Sequence, residues 1–270
     1  MFRRILDLFR SPAHGKVCFS AFATTDTGLV RKENQDSFVC DARNAFLCVA
    51  DGMGGGADGA LASRWVCDAM DAAVKEAGPT VEAREAALVA ALHAVNGRIR
   101  GYAREHGYKS MGSTVVGFAA DPSDARMARV FHAGDSRAYR FRFGRLDLLT
   151  SDHTVGNELG SALAVGEAER GRAMQARSNP LTHILTRAVG TEAMVRPEWK
   201  TIDVQRGDRL LLCSDGVHDM LDDAAIAAVL SASSTPQAAA ARIEAEVRRA
   251  GACDNYTIVC AYAGESKKGA

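Results

Sequence analysis

Two periodicities of apolar residues alternate along the chain, and they divide it into strands and helices. Val17–Ala23, Ser37–Cys40 and Ala45–Ala50 read as strands, the last a continuous apolar run suited to a strand buried on both faces. A glycine-rich turn follows at 52–56. Residues 58–105 then read as helix, first with Leu61, Trp65, Val66, Ala69, Met70 and Ala73 on one side. After the punctuation at Gly78-Pro79, Leu88, Leu92, Val95 and Ile99 form a second stripe. From residue 114 the short period returns: Thr114–Ala119, Arg129–His132, Ala138–Arg142 and Leu146–Leu149 read as strands, the last two joined across Phe143-Gly144. Residues 154–180 hold neither period clearly and contain Gly156, Gly160, Gly166, Gly171 and Pro180, so a functional or mobile insertion is expected there. Glu198–Val204 and Asp208–Cys213 are strands, Ala224–Leu230 and Pro236–Ala250 helices, and Tyr256–Ala263 a closing strand. Two groups of strands around a central helix pair predict an α+β layered sandwich rather than a βαβα alternation.

The chain has 270 residues, 47% hydrophobic and 24% charged, an ordinary globular mix. No linker interrupts residues 16–264, so these are expected to form one domain, with 1–15 an N-terminal extension and 265–270 a tail. Lys+Arg and Asp+Glu both number 33, which leaves no basic field to hold a nucleic acid by its phosphates. Nowhere do ~18 apolar residues run together, so no membrane span is expected. The seven cysteines never show C-x-x-C spacing, and Cys40, Cys48, Cys213 and Cys260 sit inside apolar runs, as reduced core residues do. The opening MFRRILDLFR lacks the apolar core and cleavage site of a signal peptide. A cytoplasmic monomer is the expectation.

The informative feature is where the aspartates fall. Asp36 opens a strand, Asp51 ends one, Asp135 follows another, Asp215 ends an apolar run and Asp254 opens the last strand. A carboxylate at the end of a buried strand is costly to desolvate without a partner. Five of them at strand ends point to a cluster compensated by hard cations, and oxygen-only ligands favour magnesium or manganese over zinc. Glycine beside three of them lets the backbone approach closely. A rival occupies the same stretch. Gly52, Gly54 and Ala57 satisfy G-x-G-x-x-A between a strand and a helix, with Asp68 and Asp71 near the offset of a ribose-binding acid. That acid belongs at the end of a second parallel strand, whereas 58–105 read as helix, and Asp51 before the first glycine would repel a pyrophosphate.

The ordered set RKENQD, VADGMGGG, GSTVVG, HAGDSRAYR, LTSDHT, LTRAVG, LLLCSDGV and DNYTIV resembles the bacterial branch of the metal-dependent protein phosphatases, the PPM or type 2C serine/threonine family. The resemblance runs from about residue 20 to 263. It implies a four-layer αββα sandwich, with two mostly antiparallel sheets flanked by helices and a dinuclear manganese or magnesium centre at one end. Carried over, Asp51 bridges two metals, the Gly52 carbonyl binds one, and Asp215 and Asp254 complete the other site. Asp36 supports the centre from behind or through water. Asp135 with Asp215 resembles the pair that holds a third, weaker metal. Arg31 matches the phosphate-clamping arginine, and Asn255 is placed to orient Asp254. The residues 154–180 become a flap-like loop that tunes selectivity.

The implied reaction is hydrolysis of phosphoserine and phosphothreonine on proteins, by in-line attack of a metal-bridged hydroxide with Arg31 neutralising phosphoryl charge. It would reverse a cognate serine/threonine kinase acting on the same phosphoproteins. The alternative is a catalytically weak phosphoprotein-binding or regulatory module of the same fold, which loss of Asp51, Asp215 or Asp254 would favour; all three are present. Two positions depart from the family pattern. Met53 stands where some members carry a His proposed as general acid, and Gln35 where others carry Glu. Of the remaining candidates, His153 reads as a structural hydrogen-bonder, His132 as core and Ser113-Thr114 as packing beside the site. Arg137 and Arg187 are read either as substrate contacts or as partners of acids.

Overall fold

Within each apolar run, alternate residues face different cores. The computed structural model describes residues 16–54, 57–108, 110–163 and 184–265. The strands are β1 (Val17–Asp26), β2 (Asp36–Asp41), β3 (Phe46–Met53), β4 (Gly112–Ser113), β5 (Val115–Ala120), β6 (Met127–Ala133), β7 (Arg137–Arg142), β8 (Arg145–Leu148), β9 (Glu198–Asp203), β10 (Arg209–Cys213) and β11 (Tyr256–Glu265). The helices are α1 (Ala57–Glu76), α2 (Val81–His106), α3 (Val155–Leu163), α4 (Asp215–His218), α5 (Asp223–Ala232) and α6 (Pro236–Arg249). In β3, Leu47 and Val49 pack toward the other sheet, against Val259 and Ala261 of β11 and Leu210 and Leu212 of β10. Phe46, Cys48 and Ala50 pack the opposite way, with Val66 and Met70 of α1 and Leu88 and Leu92 of α2. Likewise Ile258 and Cys260 of β11 face Ile226, Leu230, Ile243 and Val247 of α5 and α6. Central strands buried on both faces read as continuous apolar runs for this reason.

One sheet has the order β1-β11-β10-β7-β8 and the other β2-β3-β5-β6-β9, with β4 paired to β3. Neighbours in both run antiparallel, so the molecule is the expected helix–sheet–sheet–helix sandwich. The helix pair is central in sequence but outermost in space, because its stripe packs on the face of the second sheet. Nor do the two sequence groups of strands make the two sheets. β1 pairs with β11, 10 residues against 10, while β2 and β3 join the other sheet. The segment 27–35 therefore crosses from one sheet to the other and passes over one end of the sandwich.

Capping sets several helix ends. Thr80 Oγ1 accepts from Ala83 N at 3.2 Å to start α2, and Gly107, in the left-handed region, ends it. Thr235 caps α6 ahead of Pro236. Residues 154–180 were expected to be irregular, yet they open with α3. Its glycines mask the helical period, and Thr154 starts it by accepting from Asn157 N at 3.2 Å. The rest of that stretch, like the extension 1–15 and the tail beyond 265, lies outside the described residues. The two-residue β4 and the single-turn α4 were too short to carry a period. Cys48, Cys213 and Cys260 are buried free thiols and Cys40 is half-buried. No described helix is long and apolar enough to cross a membrane.

Candidate active site

Five segments deliver acids to the same end of the two sheets. Asp36 begins β2 and pairs in register with Asp51 near the end of β3. Asp135 lies in the turn by which the chain leaves β6 in one sheet and enters β7 in the other. Asp215 begins α4 directly after β10, and Asp254 precedes β11. They border a cleft of about 620 Å³ walled by Arg31, Asp51, Gly52, Asp135, Asp215 and Asp254. Asp36 is buried behind that wall rather than on it.

Neutral hydrogen bonds hold these acids in place. Asp36 Oδ2 accepts from Ser214 Oγ and Thr257 Oγ1, each at 2.7 Å. Ser214 Oγ in turn accepts from Thr257 N at 2.9 Å. Asp51 is fixed through its backbone: its N–H donates to Thr114 Oγ1 at 3.0 Å, and its carbonyl accepts from Thr114 N at 2.8 Å and Ser113 Oγ at 3.0 Å. Its carboxylate is thereby left for the cleft. Asn255 does two things. Its N–H donates to Asp254 Oδ1 at 2.8 Å, as expected of an orienting neighbour. Its side chain clamps the crossing segment, accepting from Gln35 N and donating to the carbonyls of Thr27 and Glu33, all at 2.9 Å. That clamp sets the loop carrying Arg31. Ser214 and Thr257 were not singled out from sequence, since a hydroxyl inside a strand or before a helix has many ordinary uses.

The glycines of the two Asp-Gly pairs are required by packing. A Cβ on Gly52 would lie 2.0 Å from the Gly59 carbonyl oxygen, and one on Gly216 2.0 Å from that of Asn255. Close backbone crossings, rather than unusual dihedrals, fix both positions.

The electrostatics ask for positive charge. Burial, reinforced by Asp215, pushes the Asp36 carboxyl up to about 7 despite its two hydroxyl donors. Burial, with the charges of Asp36, Asp215 and Asp135, raises Asp51 far above the usual carboxylate range. Asp135 rises far above it too, through burial and Asp215. Asp215 is raised by burial. Arg31 brings a cation to the cluster, donating to Asp254 Oδ2 at 2.5 Å, and Lys32 also lines the cleft. Asp36 Oδ1 and Asp215 Oδ1 are buried with no hydrogen-bond partner. Buried, unpartnered, all-oxygen donors at this charge density fit hard divalent cations.

Comparison with known proteins decides the family. The Protein phosphatase 2C pattern matches residues 30–249. The chain belongs to that family. Serine/threonine phosphatase stp of Listeria innocua is 32% identical over 251 residues, spanning 91% of this chain and 96% of its own. PppA of Pseudomonas aeruginosa, described as a key regulatory component of T6SS, superposes with a TM-score of 0.80 at 31% identity, over 92% of this chain and 99% of its own. The catalytic domain of the phosphatase PstP, solved with two manganese ions, gives 0.78 at 30% identity, over 92% and 100%. The chain is accordingly a metal-dependent serine/threonine protein phosphatase, a hydrolase of phosphoric monoesters.

In this type 2C phosphatase the remaining candidates take structural roles. Arg137 grips Asp152 through two guanidinium nitrogens, with a closest contact of 2.6 Å. His153 N donates to the Gly134 carbonyl at 3.0 Å and its Nδ1 accepts from Gly134 N at 3.2 Å, so it braces the turn before Asp135. Arg187 reaches His153 Nε2 at 3.2 Å. His132 is buried, as expected, and stacks on His153. His132, His153 and Glu198 have the donor types of a transition-metal site. Their two rings, however, are parallel within 5° at a centroid distance of 4.4 Å, and one ion cannot lie in both ring planes. The Rossmann rival fails outright, because α2 and not a strand follows α1.

Proposed function

We propose that the phosphatase hydrolyses phosphoserine and phosphothreonine on proteins with manganese held by Asp51, the Gly52 carbonyl, Asp215 and Asp254. PstP, solved with two manganese ions, supports the choice of metal. Asp36 backs the centre from behind the cleft wall, and Asp135 with Asp215 serves a third, weaker cation position. The observation that carries this reading is the pair of buried, unpartnered oxygens, Asp36 Oδ1 and Asp215 Oδ1, among carboxyls whose affinity for protons is raised by burial and, at Asp51, by the charges of Asp36, Asp215 and Asp135 as well. Divalent cations bound there supply charge neutralisation at the phosphoryl oxygens and an activated water as nucleophile.

The protein's own part is to hold and to neutralise. Arg31, on the cleft rim, has the planar, permanently charged guanidinium that grips a phosphate through two donors. Asn255 keeps that rim in place. Thr114 and Ser113 fix the backbone of Asp51, so its carboxylate stays preorganised as charge redistributes over the phosphoryl oxygens. Met53 on the cleft wall has no proton to give the departing alkoxide. The partners of this activity are phosphoproteins and the serine/threonine kinase that modifies them.

The test is to strip the protein with chelator and follow phosphate release from a phosphothreonine peptide. Release that returns on adding manganese, with the cysteines blocked, is the expected result. Failure of every divalent cation to restore it would move the chain to the phosphoprotein-binding alternative.

A further inference from the structure

We infer that His218 is a positioning residue that sets the spacing of Asp135 and Asp215, and so the affinity of the cation position these two share. The inference rests on reading both aspartates as cation ligands.

His218 closes α4, the single turn that Asp215 opens, and is only 5% exposed. Its Nε2 lies 3.0 Å from the carbonyl oxygen of Asp135. A carbonyl only accepts, so Nε2 carries the proton and donates it. Nδ1 faces Asp219 Oδ1 at 3.5 Å and makes no hydrogen bond. The ring thus joins the helix that carries Asp215 to the residue that carries the other carboxylate. The two come from different places. Asp135 sits where the chain crosses between sheets, and Asp215 sits beyond the end of β10, whose last residue Cys213 pairs with Arg137 of β7.

An apolar side chain of similar size would pack in this pocket without desolvating two ring nitrogens, one of which stays unpaired. The imidazole has to be accounted for by the bond it makes. Nothing brings the ring to the cleft wall, so it acts through Asp135 and Asp215 and touches no substrate. Hydrogen-bonded residues of this kind, one step removed from the ligands, typically change metal affinity by about 10–100-fold when replaced.

The experiment titrates manganese into chelator-stripped wild type, His218→Gln, His218→Leu and Asp135→Asn by calorimetry, with thermal melts in parallel. Gln keeps an N–H donor near the reach of Nε2, and Leu keeps the volume alone. The expected result is that H218L weakens the weakest manganese step by about 10–100-fold. The tighter steps should stay within about twofold, and H218Q should recover most of the loss. Peptide turnover should fall at limiting manganese and return at saturating manganese. Wild-type binding by H218L, or H218Q as weak as H218L, would overturn the inference. If D135N leaves the weakest step intact, the reading of Asp135 falls and the His218 role with it. If D135N removes that step and H218L does not, the His218 role falls alone. Should H218L lose its cooperative melt, His218→Asn, too short to reach the carbonyl, takes its place with the same expectations.

Discussion

Arg31 donates to Asp254 across 223 positions of sequence, at 2.5 Å, on the rim of the cleft. The side chains are 58% and 35% exposed, so the pair adds little to stability, about 0–1 kcal/mol. In the proposed reading its value is in placing a guanidinium where a phosphate would arrive. Arg31→Ala is expected to leave the thermal midpoint within a degree or two while lowering kcat/KM on a phosphothreonine peptide by about 10²-fold, the scale of losing one preorganised charge-stabilising group. Arg31→Lys should recover only part, because an ammonium cannot make the two-pronged contact. Steady-state kinetics of the three proteins decide it; equal activity would remove Arg31 from the phosphate site.

The acid cluster should trade stability for function. Burial dominates the raised proton affinity of both Asp51 and Asp215; the charge of Asp215 adds to it at Asp51, and those of Asp219 and Asp254 add to it at Asp215. Replacing either by Asn removes a buried like charge while keeping the shape. In chelator, Asp215→Asn is therefore expected to melt higher than wild type, by an increment on the order of 1–2 kcal/mol. In manganese the order should reverse, since only wild type gains from binding; a site at 100 times its Kd contributes about 2.7 kcal/mol. Turnover should vanish in the variant. Melting curves with and without metal test both halves, and a variant less stable than wild type in chelator would contradict the argument.

The same cluster gives the metal-free protein a pH dependence of definite sign. Asp36 titrates near 7 in the fold, chiefly through burial, against about 4 in an unfolded chain. A group whose folded value is raised contributes stability that is complete below its unfolded pKa and lost as pH rises through the folded one. In chelator, the melting midpoint is expected to fall from pH 4 toward pH 7, at up to ~1.4 kcal/mol per pH unit for each proton involved. Cation binding competes with those protons, so manganese affinity should increase over the same interval. A midpoint that climbs steadily to pH 7 in chelator would mean that the carboxyls are compensated by something other than a cation.

What the sequence disclosed follows from how local each signal was. Asp51, Asp215 and Asp254 stood out because a charge at the end of an apolar run is conspicuous wherever the run folds. The layer order was harder. β1 leaves its sequence neighbours to pair with β11, and nothing within β1 records that. Thr154 could have announced α3, but Gly156 and Gly160 broke its period. Ser214 and Thr257 are polar residues beside hydrophobic runs, and their shared acceptor at Asp36 exists only after three segments meet. The Asp-Gly pairs were legible as motifs with a different reason behind them. A carbonyl free to approach a cation was expected, whereas the structure adds a crossing backbone that leaves no room for a side chain.

That crossing makes the glycines separable by experiment. Gly52 and Gly216 would each place a Cβ 2.0 Å from a backbone oxygen, of Gly59 and of Asn255, and neither backbone can move without carrying an acid with it. Gly52→Ala and Gly216→Ala are therefore expected to cost more than ~3 kcal/mol, or to prevent folding, in the class of severe overpacking. Gly101, inside α2, supplies the contrast, because nothing lies within 4 Å of the Cβ it would carry. There alanine relieves only the backbone entropy of a glycine in a helix, so Gly101→Ala should stabilise by about 0.5–1 kcal/mol. Denaturant unfolding of the three variants separates the two kinds of glycine. If Gly216→Ala folds with wild-type stability and full activity, α4 and the Asn255 backbone do not cross as tightly as described, and the placement of Asp215 against Asp254 loses its steric basis.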